Sequence, residues 1–280
     1  MASYEELIEE KSGLGIGAAG TDIVSDANAG IYMAEGYKDI VNKVAASSPD
    51  LLKTFAHKIN SGWENNKFKL ENHFVFNVFR KGDTAPANVF RECRKVDESQ
   101  KHAISDSFSI YAATEMDPVY FIEDRYLTVI PDHSVNSGEF EYLGIESPDT
   151  LSVDGTYPSA PIGGGAGDII IPQDYCIYMI LYTAIKLVEI QLSNMNDGLS
   201  TMIDEDNASA APSGSAGGWE VVRYYVQDEE DMELASAKLQ ELSAEQQQWT
   251  LEYQWYQERL QRLKSEYLEP FASALAGEEA

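Results

Sequence analysis

Two glycine-rich segments have compositions that could suit phosphate binding. Gly15, Gly17 and Gly20 match the GxGxxG pattern, whose glycines allow a tight turn and a close approach of the backbone to pyrophosphate. That pattern works between an apolar strand and a helix, but here the acidic residues 5–11 precede it. Residues 163–167 lack the Gly-Lys-Ser/Thr ending that supplies a phosphate-binding lysine. We interpret the two segments as a flexible arm and a loop, and we expect no nucleotide cofactor.

No other motif supplies a complete metal or catalytic site. The histidines are dispersed, with neither an HExxH pair nor zinc-ligand spacing: His57, His73, His102 and His133. Residues 204–207 begin like a calcium loop, but Ser209 and Ser215 occupy the positions that need glycine and glutamate. There is no GxSxG elbow, and Cys93 and Cys176 lie in no nucleophile signature. The sequence therefore predicts no metal, no cofactor and no catalysis.

The acidic composition limits the possible partners but leaves one enzymatic alternative open. The 280-residue chain has 47 Asp and Glu against 20 Lys and Arg, a formal net charge of −27. This charge repels phosphate backbones and anionic lipids, which disfavours a DNA-wrapping or membrane-surface role. A glycosidase needs only two carboxylates that face each other across a cleft. An acidic hydrolase with a β-sandwich domain is therefore the alternative, although so many acids make any single pair uninformative.

The cysteines, the N-terminus and the hydropathy pattern predict a protein that is made in a reducing compartment and is not addressed for export. Two cysteines cannot form a disulfide framework. Residues 1–11 lack the basic start and apolar stretch of a secretion signal. The most apolar segment, residues 174–192, is shorter than the roughly 20 apolar residues of a membrane span. Lys186 and Glu189 near its end favour a buried helix of a soluble protein, so we expect no membrane association.

Hydrophobic periodicity predicts an α+β fold, a helical bundle with a long C-terminal helix and an inserted antiparallel β domain. Helical spacing covers residues 27–44, 49–60 and 173–196, the last apolar nearly all round. Between them, short runs rich in Val, Ile, Phe and Tyr predict four to six strands in a sandwich or small barrel, including a hairpin around Asp124. The predicted segments are a flexible arm (1–25), N-terminal helices (26–66), the β domain (67–156), a central helix (157–203), a flexible linker (204–218), and a long helix with its tail (219–280).

The C-terminal helix has the most regular pattern in the chain. Alternate steps of three and four from Met232 give a heptad stripe, interrupted by Gln246, that predicts a helix ending at Pro270 and roughly 54 Å long. Such a stripe must pack against the central helix or against neighbouring copies. The predicted packing or oligomer interface comprises Leu239, Leu242, Trp249, Tyr253, Tyr256, Leu260, Leu263 and Tyr267.

One basic cluster stands out in this acidic chain. It contains Arg80, Lys81, Arg91, Arg94 and Lys95, followed by Lys101. Acidic residues lie among these positions, so the cluster is either a solvated strand-and-loop surface or a docking patch for an acidic partner.

The order of these elements resembles that of the head-to-tail connector, or neck adaptor, proteins of tailed bacteriophages. The resemblance rests on residues 112–122 (AATEMDPVYFI), residues 127–131 (LTVIP) and residues 172–192. These segments look like the β insertion and the central helix of that family. The resemblance covers most of the chain from about Asp26.

The resemblance implies a structural role in the virion. Such proteins assemble as rings, commonly of twelve copies, beneath the portal vertex and form part of the channel through which DNA leaves. The implied partners are further copies of the chain, the portal protein and downstream neck or tail proteins, and DNA would pass without specific binding. The implied location is the neck between capsid and tail. A more distal neck or tail component is the closest alternative.

Overall fold

The computed structural model has the predicted α+β fold, with a long C-terminal helix. It describes residues 2–17, 24–60, 62–64, 66–71, 73–82, 89–106, 108–132, 140–155, 171–203, 222, 224–226 and 232–276. The helices are α1 (Tyr4–Ser12), α2 (Asp26–Ser47), α3 (Lys101–Ser105), α4 (Gln173–Ile203) and α5 (Met232–Ala276), with 3-10 helices at Pro49–Phe55 and Glu98–Gln100. The predicted linker, residues 204–218, lies outside the described residues.

Two sheets form the β domain. In chain order the strands are β1 (His57–Ile59), β2 (Trp63–Glu64), β3 (Lys67–Lys69), β4 (His73–Lys81), β5 (Phe90–Glu92), β6 (Arg94–Lys95), β7 (Val119–Glu123), β8 (Tyr126–Ile130) and β9 (Phe140–Glu146). One sheet has the order β1-β9-β4-β5, and the other has the order β2-β3-β8-β7-β6. All described strand pairs are antiparallel except the parallel pair of β6 with β7, so the predicted antiparallel arrangement is nearly right. The predicted count of four to six strands is too low, because the described residues form nine.

The two sheets join at an edge where the chain passes directly from one to the other. The Cys93 amide donates to the Val78 carbonyl of the first sheet at 2.7 Å, and the next amide, that of Arg94, donates to the Pro118 carbonyl beside the second at 2.8 Å. The chain therefore turns a corner from one sheet to the other at this edge. The enclosed core contains Ile59, Phe68, Val78, Cys93, Tyr120, Leu127, Val129, Phe140 and Tyr142.

The predicted hairpin at Glu123-Asp124-Arg125 is confirmed. Glu123 pairs with Tyr126, which leaves Asp124 and Arg125 as a two-residue loop between β7 and β8. Their φ angles are 50° and 68°, the left-handed conformation that a type I′ turn requires at both central positions. The turn matches the twist of the two strands that it connects.

Helix α4 is the centre of the helical layer, where it contacts α1, α2 and α5. Its fully buried side chains recur at helical spacing on more than one face: Cys176, Met179, Ile180, Thr183, Ala184, Leu187 and Val188. Residues Gln173–Asp197 are by length and composition long enough and apolar enough to cross a membrane, contrary to the estimate from the shorter predicted segment. Half of the helix's most apolar stretch is buried in the structure, where α1, α2 and α5 pack against α4.

The N-terminal segment corrects the prediction of a flexible arm. The side chains of Tyr4 and Ile8, one turn apart in α1, are fully buried in the helical core. Ser3 and Glu6 form a capping box, and the Tyr4 amide donates to the Gly155 carbonyl at 3.0 Å. Because Tyr4 and Ile8 share one face of α1, a short acidic helix buries enough apolar surface to dock. Residues 18–23 of the predicted arm lie outside the described residues.

The predicted helix over residues 49–60 is also corrected. A 3-10 helix ends at Phe55, and His57–Ile59 then pairs with β9. Leu52, Phe55 and Ile59 are buried as predicted, but Ile59 lies in the β core. Strand pairing, which no local pattern reveals, overrides the helical spacing of these residues.

Both long helices extend beyond their predicted ends. Helix α4 runs past Asp197 to Ile203, and α5 runs through Pro270 to Ala276. A proline inside a helix removes one backbone hydrogen bond. Here Phe271, the next residue, is buried against Tyr178 at a ring distance of 5.9 Å, so packing holds α5 helical beyond the proline.

The close contact between α2 and the segment after β9 predicts that one methyl group added at Gly30 lowers the stability of the fold. A Cβ at Gly30 would lie 2.3 Å from the Leu151 carbonyl oxygen, and the Leu151 amide donates to the Gly30 carbonyl at 3.1 Å. Ala is a better helix former than Gly by about 1 kcal/mol, but overpacking costs about 1 to 3 kcal/mol. Because a backbone atom cannot rotate away, we expect Gly30→Ala to lower the free energy of unfolding by about 1 to 2 kcal/mol.

Urea denaturation monitored by circular dichroism measures this change. The matched control is Asn28→Ala, an exposed position in the first turn of the same helix, which should stay within about 0.5 kcal/mol of the parent. A Gly30→Ala chain as stable as the parent would show that α2 and the Leu151 segment are not in contact.

Candidate functional site

The C-terminal helix packs antiparallel along α4. At one end of the seam the Trp249 indole Nε1 donates to the Met195 carbonyl at 3.2 Å, and further along Lys264 pairs with Glu189 at 2.9 Å. Beyond these contacts, the ring of Tyr267 lies 5.9 Å from that of Tyr182. Rising residue numbers in α5 therefore meet falling numbers in α4. The predicted packing of the stripe against the central helix is confirmed for this part of α5.

The burial of the predicted stripe residues varies along α5. Leu242, Leu263 and Tyr267 are buried, Trp249, Tyr253, Tyr256 and Leu260 are half-buried, and Leu239 is 41% exposed. The rings of Trp249 and Tyr253 stack at 5.0 Å. Seven of the eight predicted interface residues are thus buried or half-buried in the described part of the chain, whereas Leu239 is exposed.

Large apolar side chains outside the predicted stripe are also exposed on α5. They are Met232, Leu234, Leu251, Trp255 and Leu268. Met232 begins the heptad count, but the count did not select the other four, because it follows a single seam. At a rise of 1.5 Å per residue, the 45-residue α5 is roughly 67 Å long, whereas the 31-residue α4 is roughly 46 Å long. Helix α4 therefore cannot cover the whole length of α5.

Helix α5 also holds the end of α1. The Arg259 guanidinium donates to the carbonyls of Glu10 and Lys11 at 2.5 and 2.6 Å, which satisfies two acceptors at the C-terminus of α1. Gly13 follows with a φ of 74°, and a Cβ there would lie 2.9 Å from the Trp255 ring. The side chain of Trp255 thus occupies space that only glycine leaves open.

A cleft of about 200 Å³ lies beside this contact. Its lining is Glu10, Lys11, Arg259, Arg262, Leu263 and Glu266. The hydrogen bond from Arg262 is the main cause that holds the pKa of Glu266 below its usual value. A general acid needs a raised carboxyl pKa, so Glu266 is not suited to that role.

The predicted basic docking patch does not form one surface. Arg80 is only 1% exposed, and its guanidinium donates to the carbonyls of Pro131, Lys81 and Asp132 at 2.8, 3.0 and 2.9 Å. Arg80 is therefore a structural residue, which corrects its assignment to the patch. Lys81 and Arg91 are half-buried, whereas Arg94 and Lys95 are exposed. Arg94 pairs with Asp117 at 3.1 Å.

The cysteine and histidine side chains that could be reactive lie in environments that suit a structural role. Burial raises the pKa of the Cys93 thiol to about 12, and it also raises the pKa of Cys176, so neither is prepared as a thiolate nucleophile. The Tyr142 hydroxyl lies 2.7 Å from His73 Nδ1, and burial lowers the pKa of His73. Among the described residues, no three His, Cys, Asp or Glu side chains are grouped as metal ligands would be.

Comparison of the sequence with protein-family models and with curated proteins returns no match. The resemblance to phage connectors therefore rests on the residues that suggested it. In the structure these residues form the loop 112–118, parts of strands β7 and β8, and part of the central helix α4.

The seam between α4 and α5 predicts the order in which three substitutions lower the stability of the protein. Tyr267→Ala removes a buried aromatic ring and should lower the free energy of unfolding by about 3 to 5 kcal/mol. Tyr267→Phe keeps the ring and loses only the hydroxyl's hydrogen bond to Asp39, so the loss should be smaller. Leu268→Ala, at the next and exposed position, is the control and should change stability by less than about 0.5 kcal/mol. Equal losses for Tyr267→Ala and Leu268→Ala in chemical denaturation would contradict the seam.

The burial of Arg80 yields a second stability test. Arg80→Ala leaves three carbonyls without their donor in a buried place and should lower the free energy of unfolding by about 1 to 3 kcal/mol. Arg94→Ala loses only an exposed ion pair, which contributes at most about 1 kcal/mol. Thermal and urea unfolding of both variants measure the difference. If Arg80→Ala left the free energy of unfolding unchanged, Arg80 would again be a candidate for the surface docking patch.

Proposed function

We propose that this protein is a structural component of a tailed-bacteriophage virion, a head-to-tail connector that forms a ring beneath the portal. Its role there is to join neighbouring copies and adjacent neck proteins around a DNA channel, without catalysis. The virion neck is its place of action, and the host cytoplasm is the place of its synthesis. The proposal includes no membrane step.

The observation that carries the proposal is the incomplete burial of α5. Apolar and aromatic side chains on this helix lie on the covered seam and also on exposed faces, from Met232 to Leu268. A helix whose apolar surface exceeds what its own domain can cover is typical of proteins that pack against further copies. Adjacent subunits of a ring would cover these faces repeatedly.

The charge of the chain supports a channel that does not hold DNA. Tight sequence-independent binding requires Lys and Arg to replace the counterions of the phosphates. Twelve copies with a net charge of −27 each would carry −324, so a channel wall built from them repels the duplex. Several described lysines and arginines are also engaged within the chain, as in the pairs Lys58–Glu141, Lys101–Glu123 and Lys264–Glu189. A duplex would slide past such a wall.

Native mass spectrometry and electron microscopy of the full chain test the proposal. We expect closed rings, and twelve 31.1 kDa subunits would give a mass of about 373 kDa. We also expect no retardation of duplex DNA at low salt, where non-specific binding is strongest. A chain that stays monomeric at high concentration, or that binds DNA tightly, would contradict the proposal, and hydrolysis of an oligosaccharide would favour the alternative.

A further inference from the structure

A histidine and a tyrosine meet on one face of the first sheet. The Tyr142 hydroxyl of β9 lies 2.7 Å from Nδ1 of His73 in the neighbouring strand β4. A Cβ at Gly144 would lie 2.6 Å from the Tyr142 ring, so the ring crosses β9 over a residue that has no side chain. Glu146 lies directly opposite His73 in the register of the two strands. We call His73, Tyr142 and Glu146 the His73 cluster.

The His73 cluster lies where the two hydrophobic cores of the protein meet. Tyr142 is fully buried in the β core, and the ring of Phe68 packs on it at 4.9 Å and on His73 at 5.4 Å. Ile145, also in β9, is fully buried in the helical core. Strand β9 therefore contributes to both cores, and its pairing with β4 affects the contact between the β domain and the helical layer.

The hydrogen bond between Tyr142 and His73 requires a neutral imidazole. Burial raises the pKa of Tyr142, so its hydroxyl keeps its proton and donates to Nδ1. A neutral imidazole accepts with the lone pair of that nitrogen, whereas an imidazolium has a proton on both nitrogens and cannot accept. Protonation of His73 would therefore remove the acceptor of the Tyr142 hydroxyl. A buried donor that loses its acceptor is costly.

Charged groups from several elements face His73. Glu146 on β9 and Glu71, just before β4, favour the imidazolium, whereas His57 on β1 opposes it. Glu71 is itself paired with Lys69 on β3. Burial is the largest cause and lowers the pKa of His73 from its usual value of 6.5. The neutral imidazole that the hydrogen bond requires is thus the form that the surroundings favour.

We propose that the His73 cluster is an acid-sensitive switch at the contact between the β domain and the helical layer. While His73 is neutral, the hydrogen bond from Tyr142 holds β9 to β4 across Gly144. When Nδ1 takes a proton from the solvent, this bond is lost and the strand pair opens locally. The inference goes beyond the proposed function and does not depend on ring formation.

The direction of the effect follows from the two states of His73. In the closed state burial keeps the imidazole neutral to lower pH, whereas in the open state it titrates near its usual value of 6.5. The open state therefore binds more protons as the pH falls below 6.5, and acid favours opening. One histidine that stays neutral in the closed state changes the opening constant by up to about tenfold between about pH 7.5 and about pH 5.5.

Hydrogen exchange of the full chain at about pH 7.5 and about pH 5.5 tests the switch, after correction for the intrinsic pH dependence of exchange. In the parent we expect the opening constant of the amides around His73 to rise about threefold to tenfold at the lower pH. His73→Asn keeps an acceptor oxygen near the position of Nδ1 but cannot be charged, so this rise should fall below about twofold. His102→Asn, at an exposed histidine of α3, is the control and should keep the parent's response.

Titration of the histidine ring signals by NMR gives an independent result in the parent chain. We expect His73 to become charged at a lower pH than the exposed His102. A midpoint for His73 equal to or above that of His102 would overturn the proposal, even if His73→Asn did not fold. A folded His73→Asn chain with the parent's full response to pH would overturn it as well. A response lost only in His57→Asn would assign the titrating group to His57 and refute the role of His73.

Discussion

The covering of α4 is the constraint on which the helical part of the structure depends. Its apolar side chains face several directions, so no single neighbour can remove them from water. Helix α2 covers one side, α5 another, and the short α1 is needed to complete the enclosure with Tyr4 and Ile8. Burial of such side chains contributes about 1.5 to 3 kcal/mol each, which explains why an acidic nine-residue helix is held at all.

The sequence predicted well what depends on local periodicity. The fold class, the hairpin at Asp124 and most of the α5 stripe follow from patterns of three to seven residues, whereas the type I′ geometry of the hairpin came from the structure. It failed where distant partners decide. His57–Ile59 becomes a strand because β9 lies beside it, and α5 continues past Pro270 because Phe271 has a pocket among aromatic rings. Arg80 looked like part of a surface patch because its acceptors are carbonyls, which leave no mark in the sequence.

The docking of α1 makes the arrangement of α4 and α5 mutually dependent. Two side chains of α5 hold the end of α1, because Arg259 caps it and Trp255 packs over Gly13. Helix α5 therefore covers one side of α4 and also fixes α1, which covers another side. Loss of either contact exposes apolar surface on α4. This dependence keeps the α5 axis in a defined direction relative to the rest of the helical layer. A defined direction is what a helix needs if its exposed apolar faces are to meet a neighbour reproducibly.

Much of the exposed apolar surface lies in two separate places, and this distribution bears on the assembly that we propose. The exposed faces of α5 belong to the helical layer, whereas Phe108, Ile110, Tyr111 and Met116 lie on the segment of the β domain between α3 and β7. A copy that uses both places is held at two distant points, and the second contact forms at the high effective concentration that the first one creates. In the ring that we propose, weak individual contacts can then combine to hold together subunits whose acidic charges repel each other. Because that repulsion is screened by salt and the apolar contacts are not, assembly of such a ring should strengthen as ionic strength rises.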